Sequence, residues 1–170
     1  DVQSRGGEIA SFSSVCGGLP APEAANNPLM YKFSWSPMGV LRACQNDAIY
    51  MREGGVVNVE GKDLLSSARP FNNAWPSLHL EVLPNRDSLV YADKYGIQSA
   101  NSIFRGTLRY HGFSSLLHVF KNMGLLEQAP GRGTWGGVLK ALQEKQRFRD
   151  QRSYLMSCSG GDKATANKAA

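Results

Sequence analysis

The sequence predicts an α+β fold in which a mixed β-sheet is flanked by helices. Alternating apolar and polar residues, typical of strands, recur along the chain and are clearest at residues 78–82. An apolar repeat at helical spacing covers residues 113–120. No G-x-G-x-x-G fingerprint follows a strand, and the short GRG at residues 131–133 has no phosphate-loop pattern around it. The sequence therefore lacks a Rossmann dinucleotide-binding domain.

The composition is that of an ordinary globular domain. Of the 170 residues, 42% are hydrophobic and 19% charged, which suffices for one domain with its own core. No apolar run approaches about 18 residues and no hydrophobic signal region opens the sequence, so we expect no membrane partner. The net charge of +5 is modest, and only residues 147–152 combine basic residues with an aromatic, so we expect no nucleic-acid partner.

The three cysteines indicate free thiols. Cys16, Cys44 and Cys158 lie far apart and form no C-x-x-C pair, which argues against a disulfide framework or a zinc site. We therefore expect no metal, and a reducing compartment, either the cytoplasm or the mitochondrion.

The first elements are predicted to be a strand, a long loop and a helix. The strand covers residues 9–15 and leads to Cys16, which is followed by glycines and prolines that exclude regular structure. The glycines would let another molecule approach the backbone beside Cys16, although a buried thiol before a tight turn is the alternative. Ser36 and Pro37 predict a helix start, with Cys44 on the buried face.

The middle of the chain is predicted to contain a hairpin and a further strand. Residues 48–51 and 56–59 alternate around a glycine pair, which favours a hairpin. Residues 61–73 are expected to be irregular. Residues 78–82 alternate cleanly as a strand, which places His79 on the polar face.

Capping signals and periodicity predict the remaining elements. Asn85 would cap a helix that ends near Tyr95, with Gly96 as its stop. Residues 102–110 are a strand in which Gly106 either weakens the pairing or marks a close approach. The next helix ends at Gly124, and a further helix begins after Thr134. The residues predicted to face the core from the first of these two helices are Phe113, Leu116, Leu117 and Phe120.

Two arginines are candidates for anion binding. Arg86 would lie in the first helical turn, where free N–H groups favour an anion, unless it is simply a solvated surface residue. Arg109 follows Thr107 by two residues in a strand, so both side chains point to one face and could clamp a carboxylate. An ion pair to Glu81 or Asp87 is the alternative for Arg109.

Five motifs resemble one enzyme family, the glutamate-forming saccharopine dehydrogenases. The first is CGGLPAPEAANNPLMYKFSWSP, at residues 16–37. The others follow in order as LPNRDS, YADKYGIQSA, FRGTLRYHGF and a TW pair at Thr134 and Trp135. The resemblance covers roughly residues 9–142 and departs from the family after about residue 142.

The resemblance implies roles for several of these residues. The family binds saccharopine, which carries three carboxylates and a secondary amine. The residues that the resemblance assigns to substrate binding are Arg86, Thr107, Leu108 and Arg109. Cys16 would be the catalytic residue, lying beside the substrate and the nicotinamide, although no adjacent His or Lys marks it as a nucleophile. Ser36 and Pro37 would contact the cofactor.

The resemblance also implies a reaction and a domain organisation. NAD or NADP would oxidise saccharopine to glutamate and aminoadipate semialdehyde, with the cofactor held mainly by a Rossmann domain that this chain lacks. We expect an incomplete substrate-binding domain at residues 1–142, a terminal helix at 143–156 and a disordered tail at 157–170. The isolated fragment would be inactive and the parent protein a homodimer. A non-catalytic dimerisation or interaction module derived from the same domain is the alternative.

Overall fold

The structure, a computed structural model, describes residues 2–72, 74–126, 134–145 and 147–165. The strands are β1 (Ser11–Cys16), β2 (Ala48–Arg52), β3 (Gly55–Val59), β4 (Arg69–Phe71), β5 (Leu80–Pro84) and β6 (Ser102–Tyr110). The helices are α1 (Pro37–Ala43), α2 (Val90–Tyr95), α3 (Phe113–Asn122), α4 (Trp135–Lys145) and α5 (Gln151–Cys158). Strands and helices are both present in number, which confirms the predicted α+β class.

The sheet is built around β6. The strand order is β3-β2-β6-β5-β4, and β1 pairs with β6 outside this path. β1 runs parallel to β6, with Cys16 opposite Thr107, whereas β5 runs antiparallel to it, with Glu81 opposite Arg109. β2 meets β6 at a single antiparallel pair, Met51 and Ile103. One parallel and several antiparallel pairings make this a mixed sheet, as predicted.

The two faces of β6 pack against different parts of the chain. Leu108 and Tyr110 point to the face that the proline-rich segment covers, where they form a cluster with Leu80 and Val82 of β5. The odd-numbered residues point to the helices. Ile103 lies in a cluster with α2, and the main core joins Val40 of α1 and Leu83 of β5 to residues of α3. Between these two helix-covered clusters lie Arg105, Thr107 and Arg109.

Local sequence signals predicted several elements correctly. Ser36 caps α1, its Oγ accepting a hydrogen bond from the Gly39 N–H at 3.2 Å, and Pro37 occupies the first turn. β2 and β3 form the predicted antiparallel hairpin. The side chains of Phe113, Leu116 and Leu117 are each about 1% exposed, and Phe120 packs against the core as a partly buried residue. Cys44 is also buried, as expected.

Other elements differ from the predictions. Residues 61–73 are not wholly irregular, because they contain a 3-10 turn (Leu65–Ser67) and the short edge strand β4. β5 begins at Leu80 rather than at residue 78, and all its residues are buried, because it lies between β4 and β6 with both faces covered. His79 precedes the strand, in a left-handed conformation with φ 46°.

The helix predicted from Asn85 is shorter at its start. α2 begins at Val90, and Asn85 does not cap it, because the Asn85 side-chain amide hydrogen-bonds to Thr107 Oγ1 at 2.9 Å. Residues 85–88 instead run beside β2, where the Ile49 N–H donates to the Arg86 carbonyl at 2.9 Å. The end of α2 is as predicted, with Gly96 left-handed at φ 61°.

The C-terminal part contains two helices. Thr134 Oγ1 accepts from the Gly137 N–H at 3.3 Å in the first turn of α4, and Asp150 caps α5. α5 ends at Cys158, so the segment predicted as disordered from residue 157 begins inside a helix, because Tyr154 and Cys158 pack against α3. Residues 166–170 of that segment, like Gly131 and Gly133, lie outside the described residues. The division of the chain at residue 142 stays a prediction.

Within the ranges that the structure describes, no helix is both long and apolar enough to cross a lipid bilayer. The same residues contain no group of three or more His, Cys, Asp and Glu side chains that could hold a metal ion.

Candidate functional site

A cleft of about 530 Å³ opens over the middle of β6. Its walls come from the end of β1, the following loop, α1, residues 85–86 and the helix-facing side of β6. Four of the residues that the sequence singled out line it, namely Cys16, Arg86, Thr107 and Arg109. Elements far apart in the sequence therefore converge on one cavity.

Arg109 lines the cleft as a buried residue that is held by several contacts. It is only 7% exposed, and its guanidinium carbon lies 4.9 Å from the ring centre of Tyr31 and 5.1 Å from that of Phe113. Its Nη1 donates to the Leu108 carbonyl at 3.0 Å, whereas its Nε is buried without a hydrogen-bond partner. Among the described residues, no carboxylate oxygen lies within 4 Å of this guanidinium. Arg109 is thus a buried cation whose charge the described chain leaves unpaired.

The ion pair considered for Arg109 is not formed. Glu81 lies opposite Arg109 in the sheet, but its carboxylate accepts from the Ser114 N–H at 2.7 Å and the Gly112 N–H at 3.0 Å. Both N–H groups belong to the start of α3, where a carboxylate is stabilised by the helix dipole. The Asp87 carboxylate accepts from the Leu89 N–H instead. Both candidate partners are therefore committed to backbone groups.

Thr107 and Leu108 point in opposite directions, as strand geometry requires. Thr107 is half-buried at the cleft, and its Oγ1 accepts from Asn85 Nδ2, which leaves the hydroxyl hydrogen free to donate to a ligand. The Leu108 side chain is 5% exposed and lies in the opposite cluster, and Leu108 is not among the residues that line the cleft.

Cys16 is exposed at the cleft wall, so the alternative of a buried thiol is wrong for it. The glycines after it serve two purposes. A Cβ on Gly17 would collide with the Leu108 carbonyl, so Gly17 lets the loop after β1 lie close to β6. Gly18 lines the open cavity, and a Cβ added to it would have no atom within 4 Å. Cys44 is buried, and burial raises the pKa of its thiol to about 11, an effect that the charge of nearby Arg109 opposes.

Arg86 lines the cleft but not in the way predicted. It precedes α2 by four residues, so the argument from a helix N-terminus does not apply. Its side chain is exposed and its backbone is left-handed, with φ 54°. That conformation is strained for a residue with a side chain and is maintained by the surrounding structure, here by the backbone pairing with Ile49.

The remaining predicted residues lie at the edge of the site. Ser36 and Pro37 begin α1 and are not among the residues that line the cleft, whereas the neighbouring Trp35 is. Sequence reasoning missed Trp35 and also Arg105, which lines the cleft from β6. Strand alternation was the available signal for Arg105, because it lies two residues before Thr107 on the same face.

Comparisons with known proteins identify the family and agree with this fold. Residues 1–160 match the family model of the saccharopine dehydrogenase C-terminal domain. The chain is 46% identical over 154 residues to alpha-aminoadipic semialdehyde synthase of Arabidopsis thaliana, covering 85% of this chain and 14% of the relative. It is 49% identical over 128 residues to the NADP(+), L-glutamate-forming saccharopine dehydrogenase of Schizosaccharomyces pombe, covering 75% and 28%.

A solved structure shows the same fold. The structure of apo saccharopine dehydrogenase (L-Glu forming) from Saccharomyces cerevisiae superimposes with a TM-score of 0.85 at 35% identity, covering 99% of this chain and 39% of that one. The chain thus spans well under half the length of these relatives, two of which are dehydrogenases by name. With nearly its whole length matched by one family model, the chain belongs to the saccharopine dehydrogenase C-terminal domain family.

Proposed function

We propose that this chain is the substrate-binding part of a glutamate-forming saccharopine dehydrogenase. The observation that carries the proposal is the buried, unpaired guanidinium of Arg109 facing a cleft. Removing a charged group from water costs several kcal/mol unless a counter-charge compensates it. A ligand carboxylate entering the cleft would supply that counter-charge, and a planar guanidinium can bind it through two hydrogen bonds.

The size and polarity of the cleft suit saccharopine. Its volume of about 530 Å³ lies within the range of small-molecule sites, about 300–1,000 Å³. Saccharopine has a carboxylate near each end and a third beside the secondary amine. Arg109 would hold one carboxylate inside the cleft and Arg86 another at its mouth, while Thr107 donates its free hydroxyl hydrogen. Leu108 would contribute through its backbone alone, because its side chain points away.

The residues of the cleft fit the nicotinamide end of a cofactor but not the whole of it. Cys16, Gly18 and Trp35 form an open wall on which a flat ring could lie. When bound, NAD or NADP would supply the hydride acceptor for the lysine-side carbon next to the secondary amine. Loss of that hydride and of the amine proton would leave a C=N bond in the substrate, and water would hydrolyse it to glutamate and aminoadipate semialdehyde. The chain's own residues would orient the substrate for this transfer. Cys16 would line the reacting end of the substrate, and Ser36 and Pro37 would lie at the outer edge of the cofactor.

The proposed function also implies properties of the parent protein. We expect a Rossmann domain of the parent protein to hold most of the cofactor, and the parent to be a homodimer. The free thiols of Cys16, Cys44 and Cys158 are consistent with a reducing location in the cytoplasm or the mitochondrion. The related synthase of Mus musculus is mitochondrial by name.

Steady-state kinetics of a full-length protein that contains this chain would test the proposal. Arg109→Gln should raise the KM for saccharopine about 10- to 150-fold, the equivalent of losing a hydrogen bond to a charged group of about 1.5–3 kcal/mol. The KM for the nicotinamide cofactor should stay within about twofold. Arg42→Gln is a matched control, because Arg42 is exposed on α1 and does not line the cleft.

Two results would contradict the proposal. One is an Arg109→Gln protein with the same saccharopine KM as the Arg42→Gln protein, which would favour the alternative of a non-catalytic dimerisation module. The other is saccharopine-dependent reduction of NAD(P) by the 170-residue chain alone, because we expect no activity without a domain that holds the cofactor.

A further inference from the structure

Arg105 shares the face of β6 that Thr107 and Arg109 present to the cleft. The three residues are spaced by two along one strand, so their side chains emerge on the same side. All three line the cavity. Arg105 is half-buried, and its guanidinium carbon lies 5.8 Å from the ring centre of Tyr91. Across the part of the chain that the structure describes, no carboxylate oxygen lies within 4 Å of its guanidinium.

The backbone holds Arg105 next to Arg86. The Asn85 N–H donates to the Arg105 carbonyl at 2.9 Å, and the Arg105 N–H donates to Ser88 Oγ at 3.0 Å. The segment that carries Arg86 is therefore tied to the strand at Arg105, and both side chains line the same cavity. Two neighbouring cations repel each other, and an anion between them would relieve that repulsion.

Arg105 and Arg109 lie at different points along the length of the cleft. Four residues of strand separate their Cα atoms by about 13 Å. A ligand lying along the strand would meet Arg109 at its buried end and the pair Arg86 and Arg105 at its outer end. An extended ligand with carboxylates at both ends matches this spacing of positive charge.

We infer that Arg105 is a third carboxylate-binding arginine, which forms an outer subsite with Arg86, while Arg109 forms the inner one. The inference rests on the proposed function and adds a specificity determinant to it. Arginines at both ends of the cleft favour a substrate with carboxylates at both ends over a shorter acid that reaches only one. The ring of Tyr91 supports Arg105, because its centre lies 5.8 Å from the guanidinium carbon, within the range of a cation–π contact.

Kinetics of the full-length protein in both directions would test the inference. Arg105→Gln should raise the KM for saccharopine about 10- to 100-fold, with kcat and the cofactor KM within about twofold. In the reverse direction, glutamate and aminoadipate semialdehyde bind as separate molecules, so only one of their KM values should rise. Arg105→Lys should recover part of the loss, because it keeps the charge but not the bidentate geometry.

A double variant that carries Arg105→Gln and Arg109→Gln distinguishes two separate carboxylate subsites from a single shared subsite. If the two arginines hold different carboxylates, their KM effects should multiply. If Arg109→Gln raises the KM and Arg105→Gln behaves like the Arg42→Gln control, the outer subsite is wrong and the proposed function stands. If neither arginine variant changes the KM, the proposed function itself fails. Equal melting temperatures of the variants would show that each protein is folded, and a folded Arg105→Gln protein with unchanged KM overturns the inference.

Discussion

Replacing Arg109 with methionine tests whether a buried cation is kept for a ligand rather than for stability. The change keeps a long, flexible side chain but removes the guanidinium. It forfeits the hydrogen bond to the Leu108 carbonyl, about 1.5–3 kcal/mol, and two ring contacts, about 1–2 kcal/mol each. It also removes the desolvation penalty of an unpaired ion, several kcal/mol, and adds contacts between sulfur and the rings.

These terms nearly cancel, so the free energy of unfolding should change by less than about 1.5 kcal/mol. By contrast, Leu117→Ala on α3, where Leu117 is 1% exposed, should cost about 2–5 kcal/mol. Urea unfolding of the 170-residue chain, followed by circular dichroism, measures both values. Saccharopine at 100 times its Kd for the unmodified chain should stabilise that chain by about 2.7 kcal/mol. The same concentration should stabilise the Arg109→Met chain far less.

A loss of more than about 3 kcal/mol for Arg109→Met would refute this reasoning. It would show that the guanidinium is neutralised within the protein, since removing one partner of a buried ion pair costs about 3–5 kcal/mol. Equal stabilisation of both chains by saccharopine would show that Arg109 does not contact the ligand.

Three further predictions concern the surroundings of the site, all measured as free energies of unfolding. Glu81→Gln should lower stability by about 1.5–3 kcal/mol, because an amide cannot accept from both N–H groups at the start of α3, whereas Glu60→Gln at an exposed ion pair should change it by less than about 0.5 kcal/mol. Gly17→Ala should cost about 1–3 kcal/mol, because the new Cβ would meet the Leu108 carbonyl, and an equal effect of Gly18→Ala, whose Cβ meets nothing within 4 Å, would contradict that explanation. Because burial raises the pKa of Cys44 from 9.0 to about 11, its thiol ionises first in the unfolded chain. The free energy of unfolding should therefore fall by about 2–3 kcal/mol as the pH rises from 9.0 to about 11. A Cys44→Ala chain that declines as steeply as the unmodified chain over this range would count against it.

Local patterns alone predicted the elements whose signals depend on neighbours in sequence. The strand predicted at residues 102–110 matches β6, and the apolar repeat after Gly112 predicted the buried face of α3. The Ser36-Pro37 start of α1 and the Gly96 end of α2 likewise follow from backbone geometry within one turn. Because β6 was identified correctly, the shared face of Thr107 and Arg109 followed from strand geometry.

Tertiary structure decided every feature that depends on competition between partners. Asn85 could have capped a helix, but Thr107 lies within reach of its amide, and a hydrogen bond of similar strength formed there instead. Glu81 could have paired with Arg109, but the N–H groups at the start of α3 hold its carboxylate. The sequence by itself thus determined β6, which carries Thr107 and Arg109, and the start of α1 at Ser36 and Pro37, but not the segment that carries Arg86. Only the tertiary structure determined which charges remain unpaired at the cleft, because that depends on which of several comparable partners the fold brings close.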